Sequence, residues 1–148
     1  MYYKIESENK VRFVESKSRM NAIRWAAKHF KEAYIWEVNK DKEMLEEPAG
    51  MLVGGPATKE EVKERMEKND FYLFQALRLV YSYQTAEEKD GEHTGELNGV
   101  GFNRYDSEKL TRLAKQLDEY GELTPKQIDT ARHKMKKYAG QILKLKSA

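Results

Sequence analysis

The sequence contains no cysteine. That absence excludes disulfide staples, thiolate metal sites and a cysteine nucleophile, and it fits a reducing compartment. No apolar run approaches the ~18–20 residues that a bilayer-spanning helix needs. The opening Met1-Tyr-Tyr-Lys-Ile-Glu6 has no apolar h-region and no small-residue cleavage site, so a cytoplasmic protein without membrane attachment is expected. The histidines, His29, His93 and His133, never fall within helical metal-ligand spacing of one another, which removes the usual zinc motifs. Gly99-Val100-Gly101 lacks the third glycine of a dinucleotide fingerprint, no Gly-Lys-Ser/Thr follows it, and no Gly-x-Ser-x-Gly elbow occurs. Carboxylates are plentiful, but they cluster in stretches that read as solvated helix faces and loops rather than as a desolvated acid/base pair. The expectation is a protein that is not an enzyme and that takes neither a cofactor nor a metal.

Charge and aromatic mass are what the chain does contain. Charged residues make up 35% of its 148 positions, above the ~25% of an average domain. Nine Tyr, five Phe and two Trp supply enough bulk for a core. The length suits one compact domain or two small lobes of about 50–80 residues. A net charge of +2 conceals three blocks. Residues 1–40 are net +4, residues 41–100 are net −7 and residues 101–148 are net +5. Blocks of one sign bear on partner choice more than the total does.

Tyr2–Glu6 and Lys10–Glu15 alternate with period two about a Ser7-Glu8-Asn9 turn and read as strands. Ser18 caps a helix to about Phe30, with Met20, Ile23, Ala27 and Phe30 at helical spacing as its expected inner face. Ala33–Val38 is rich in aromatic and β-branched residues and reads as a third strand. Glycines and prolines through residues 39–57 read as a connector. Thr58 with Glu61 opens a helix to about Lys68. Phe71–Tyr83 reads as a helix apolar around most of its circumference, with Gln75, Arg78 and Ser82 as its polar stripe, a buried strand over Leu79–Tyr83 being the competing reading. Such a helix is a central element or a homodimer interface. Two amphipathic helices end the chain. The first is expected to be capped by Asp106 or Ser107, with Leu110, Leu113, Ala114, Leu117 and Tyr120 inside and Gly121 at its C-terminus. The second opens at the Thr124-Pro-Lys-Gln127 capping box and repeats Ile128, Ala131, Met135, Tyr138, Ile142 and Leu145.

The expected fold class is α+β, a small β-β-α-β sheet lobe packed on a helical part that ends in an αα-hairpin. Its divisions are a lobe over 1–40, a linker over 41–57, central helices over 58–84, an acidic loop over 85–97 and a C-terminal helical module over 98–148.

Two places in that module carry binding chemistry. Asn98, Gly99, Gly101 and Asn103 directly precede a helix, where outward-turned backbone amides favour an anion such as a phosphate. A tight turn that plugs Phe102 into the core is the structural alternative. On the last helix, Arg132, His133, Lys136, Lys137 and Lys144 lie off the apolar stripe, in a stretch over 121–148 that is net +5. Such a face either neutralises phosphates and releases counterions or is a soluble Lys-rich helix end that the helix dipole favours.

Asn98 to Asn103 with Asp106, then Gly121 and Leu123 to Gln127, then Ala131, Arg132, Met135 and Lys137 to Ile142, resembles a small helical module of phage and mobile-element proteins. Similar segments accompany helicase-like and other DNA-processing proteins. The resemblance implies a phage setting in a host cytoplasm and DNA before RNA as partner. It carries over no biochemical role, and this chain has no helicase motor motif. Two functions follow as expectations. One is a nucleic-acid-associating accessory protein that uses the basic C-terminal helices. The other is an anti-defence inhibitor of the anti-CRISPR kind, whose acidic 41–100 surface covers a basic nucleic-acid-binding host protein.

Overall fold

The computed structural model describes residues 1–43, 50–90 and 101–146, with backbone alone over 85–90. It is an α+β fold. Strands β1 (Tyr2–Glu6), β2 (Val11–Glu15), β3 (Glu32–Val38) and β4 (Met51–Gly54) form one antiparallel sheet in the order β2-β1-β3-β4. Helix α1 (Arg19–His29) connects β2 to β3. The rest is helical: α2 (Lys59–Lys68), α3 (Asp70–Asp90), α4 (Ser107–Tyr120), α5 (Pro125–Met135), a 3₁₀ turn (Lys136–Tyr138) and α6 (Ala139–Lys144). The chain divides into two compact units, Met1–Gly55 with the chain end from Leu145, and Pro56–Lys144.

In the first unit, period-two alternation sends Tyr3 and Ile5 of β1, Ala33 and Ile35 of β3, and Met51 and Val53 of β4 to one face. Ala22, Ile23 and Ala26 of α1 cover that face. The expected inner face of α1 was rotated. Met20 and Ala27 are exposed, whereas two alanines and one isoleucine meet the sheet. Small side chains let the helix axis approach the strands, and Trp25 and Phe30 fill the flank. Ser18 accepts from the Asn21 amide, as a cap should.

The sheet has one strand more than the β-β-α-β reading. β4 lies inside the segment read as a connector and pairs Ala33 with Val53 and Ile35 with Met51. Its four residues sit among glycines, and pairing to β3 rather than local propensity fixes them. Gly54 ends the strand at φ +77°, where an added Cβ would stand 1.8 Å from the Lys31 carbonyl oxygen.

The second unit packs α2, α3, α4 and α5 around Val62, Met66, Leu73, Leu77, Leu110, Leu113, Ala131 and Met135, all buried. Helix α3 runs to Asp90, so the backbone over 85–90 is helical where the acidic loop was expected to begin. Its polar stripe does not face water. Gln75 and Ser82 are buried, and Arg78 donates to the Gln75 Oε1 at 3.0 Å and to Asp118 at 2.8 Å. A single chain thus buries most of 71–83 without a second copy. In α4, Tyr120 is 70% exposed and lies outside the apolar stripe. Gly121, at φ +78°, closes α4 with its amide on the Leu117 carbonyl. Thr124 and Gln127 form the reciprocal capping box at the start of α5. The last helix is not continuous, because the 3₁₀ turn separates α5 from α6.

Gly54 and Gly121 share a left-handed φ but differ in surroundings, since an added Cβ meets nothing within 4 Å at Gly121. Gly121→Ala should therefore cost about 1 kcal/mol, the backbone term alone. Gly54→Ala should cost about 3 kcal/mol or more, because the chain must also move off the Lys31 carbonyl. Urea unfolding of both variants measures the difference, and equal midpoints would contradict the placement of Gly54.

Candidate nucleic-acid interface

The module read for binding is first of all held together by its own side chains. The Gly101 amide donates to Gln141 Oε1 at 2.9 Å, and Gln141 Nε2 donates back to the Gly101 carbonyl at 3.2 Å. The Phe102 amide donates to Gln84 Oε1 at 2.7 Å, and the Asn103 amide to the Tyr138 hydroxyl at 2.9 Å. Asn103 Oδ1 in turn accepts from the Tyr105 and Asp106 amides, each at 2.9 Å. Phe102 is buried edge-on against Tyr138, with centroids 5.6 Å apart. The amides of Gly101 and Asn103 therefore point at acceptors inside the unit, and the segment serves as the plug that was the structural alternative. Asn98 and Gly99 lie outside the described residues.

Asp106 precedes α4 but does not cap it with its side chain. The residue is 2% exposed. Its Oδ2 receives Lys137 Nζ and the Tyr138 hydroxyl, both at 2.8 Å, and its Oδ1 receives Lys134 Nζ at 3.3 Å. Burial by itself would raise the carboxyl pKa. The hydrogen bonds from Lys137, Tyr138 and Lys134 outweigh that and hold it below the ordinary carboxylate range. Tyr138 is pushed up to about 12 by burial and by its bond to Asp106, so it stays a neutral donor. The 3₁₀ turn falls where Lys137 and Tyr138, neighbours in sequence, reach the same carboxylate oxygen.

The cations expected to face a ligand are engaged in the same way. Arg132 donates to the Met66 carbonyl at 3.1 Å and pairs with Asp70. Lys136 pairs with Glu67 at 2.9 Å and lowers that carboxyl's pKa through the hydrogen bond. Lys137 belongs to the Asp106 cluster, so its side chain does not simply point away from the apolar interior. His133 on α5 and Lys144 at the end of α6 remain exposed.

A different set of basic residues is brought together by the α4–α5 hairpin. Lys109 and Arg112, one turn apart on α4, meet Thr124, Lys126, Gln127 and Thr130 around an open concavity of about 220 Å³ with Leu113 in its wall. Among the described residues of its lining three side chains are cationic and none is a carboxylate. Lys109 and Lys126 are exposed, and Arg112 makes only an i,i+4 pair with Glu108, itself 88% exposed. Such a solvated pair is worth little and yields readily to a phosphate. Doubled amide bonds between Gln116 and Gln127, at 2.8 and 3.0 Å, brace the two helices beside the concavity. Lys109, Arg112 and Lys126 were not singled out from the sequence. The antiparallel hairpin was legible there, and pairing the i,i+3 cations of its first helix with the first turn of its second would have found them.

Among the described residues, no cluster of His, Asp and Glu could hold a metal, and no helix is long and apolar enough to cross a membrane. No family model matches the chain, and comparison with curated proteins and with solved structures returns no significant similarity.

Because the Asp106 pKa is depressed in the fold, the cluster stabilises the protein above the ordinary carboxylate range, and that contribution disappears as pH falls through the folded value. Asp106→Asn should lower stability at neutral pH by about 2–3 kcal/mol, since it removes the charge on which two lysines converge and replaces one of the two acceptor oxygens with a donor. Denaturant unfolding from pH 7 down to about pH 3 should show the wild type and the variant converging on the acid side. A constant gap across that range would contradict the assignment.

Proposed function

We propose that the protein is a non-enzymatic accessory protein that associates with nucleic acid through the basic hairpin of α4 and α5. The observation that supports this reading most is the concavity lined by Lys109, Arg112 and Lys126, with no carboxylate among the described residues of its walls. Phosphates are the ligands such a lining favours. Arg112 offers a planar fork of donors, Lys109 and Lys126 offer mobile charges, and Thr124 and Thr130 offer hydroxyls. Contacts of this kind position a phosphate backbone without reading bases, so weak sequence preference follows. The resemblance of the surrounding segment to modules that accompany DNA-processing phage proteins favours DNA over RNA and a host cytoplasm as the setting.

This reading moves the interface away from Arg132, Lys136 and Lys137, whose charges are engaged with Asp70, Glu67 and Asp106. His133 and Lys144 stay as outlying contacts. The anti-defence alternative draws on the acidic 41–100 segment, of which Glu60, Glu61, Glu64 and Glu67 lie on exposed positions or the flank of α2.

A salt titration of DNA binding separates the two. Each phosphate contact contributes roughly −0.9 to the slope of log K against log[salt] on duplex and about −0.7 on single strands. The double variant Lys109→Ala/Lys126→Ala should reduce the magnitude of that slope by about one to two units and leave the unfolding midpoint unchanged. Absence of wild-type binding at ~50 mM salt, or identical slopes for both proteins, would remove the hairpin as the interface and leave the acidic surface as the next place to look.

A further inference from the structure

The N-terminal unit carries a second basic surface of a different kind. From Ser16 to Lys31 the chain has five Lys or Arg residues and no Asp or Glu. None of Lys17, Arg19, Arg24, Lys28 and Lys31 forms an ion pair among the described residues. Arg24 and Lys28 lie one turn apart on α1, both exposed, on the side away from Ala22, Ile23 and Ala26.

Beside that stripe stands an aromatic stack. Trp25 and His29, also one turn apart, lie with ring centroids 4.2 Å apart and planes 23° from parallel. Two contacts fix the stack. Trp25 packs against the core beneath α1 and tilts onto Phe30 at 6.1 Å, and His29 Nδ1 donates to the Trp25 carbonyl at 2.8 Å. His29 is exposed. It lines an open concavity of about 390 Å³ together with Phe30, Lys28, Lys31, Ala27, Val53 and Gly54. Ala27, once expected to face the core, leaves room there.

Among the described lining residues flat rings stand next to cations with no carboxylate, a combination that suits a base with flanking phosphates. We propose that α1 and this concavity bind single-stranded nucleic acid, with a base stacked at His29 and Phe30 and its flanking phosphates on Arg24, Lys28 and Lys31. Single strands offer open base faces to an aromatic platform, whereas a duplex hides them between neighbouring pairs. The rings are held in place before a ligand arrives, so little side-chain freedom is lost on stacking. This site lies in a different unit from the α4–α5 hairpin and stands or falls separately from it.

Trp25 supplies the reporter, because the other tryptophan, Trp36, is 1% exposed. The probes are a twelve-nucleotide oligothymidine, an abasic strand of the same length and charge, and a twelve-pair duplex, all titrated into full-length protein. The oligothymidine should quench tryptophan fluorescence and bind about tenfold more tightly than the abasic strand, the increment that stacking one base supplies. His29→Ala should remove most of that preference and leave the salt slope unchanged. Arg24→Ala/Lys28→Ala should reduce the magnitude of the slope by about one unit and leave the preference in place. Thermal unfolding of each variant checks that the fold is intact. In the Lys109→Ala/Lys126→Ala background the oligothymidine should still quench, which separates this site from the hairpin. Equal affinity for abasic and thymidine strands, quenching by the duplex alone, or unchanged behaviour of the His29 variant would overturn the proposal.

Discussion

The second unit depends on one buried carboxylate. Asp106 is out of water, and it stays charged there only because Lys137, Tyr138 and Lys134 converge on it. Those partners come from the end of α5 and the turn that follows, so the same contact fixes the start of α4 against the far end of its hairpin partner. Tyr138 extends the network, because its hydroxyl donates to Asp106 while accepting the Asn103 amide. Gln141 and Gln84 then hold Gly101 and Phe102. A chain of polar contacts thereby closes the segment before α4 in a way that apolar packing alone would leave under-specified.

That network changes the meaning of the motif over 98–142. Gly101, Phe102, Asn103, Asp106, Gly121, Thr124, Gln127, Arg132, Lys137, Tyr138 and Gln141 each make a contact within their own unit. These residues are therefore engaged in holding their own unit together. Exposed basic side chains of this unit include Lys109, Arg112 and Lys126 around the hairpin concavity, with His133 farther along α5 and Lys144 at the end of α6. A basic residue's availability is set by what sits across from it. Lys136 faces Glu67 and Lys137 faces Asp106, whereas the hairpin concavity has no acid among its described lining residues.

The first unit follows other rules. Its core is apolar and ordinary, the alternating faces of three strands under a helix that approaches through alanines. Its outer surface is the unusual part, a helix without a carboxylate that carries Trp25 and His29 in a stack. Helices exposed to water commonly interleave both charge signs, which supports solubility and gives i,i+4 pairs. α1 forgoes those pairs.

Local chemistry was written in the sequence. The caps at Ser18, Thr58 and Thr124 and the left-handed Gly121 rest on contacts between residues no more than one helical turn apart, and each stands in the structure where the spacing put it, while the apolar repeat Ala131–Met135–Tyr138–Ile142 was legible as a pattern and is buried by tertiary packing. Three features were not legible there. β4 takes its conformation from β3 across a glycine-rich stretch. The inner face of α1 is chosen by which side chains are small enough to meet the sheet, which periodicity of large apolar residues does not report. The roles of the C-terminal cations depend on Asp70, Glu67 and Asp106, carboxylates that lie roughly 30 to 70 residues away along the chain. Spacing identifies a basic helix face, but only the packed tertiary structure decides which charges a buried or neighbouring carboxylate has already neutralised, because Coulomb attraction acts through space and falls off with distance rather than with sequence separation.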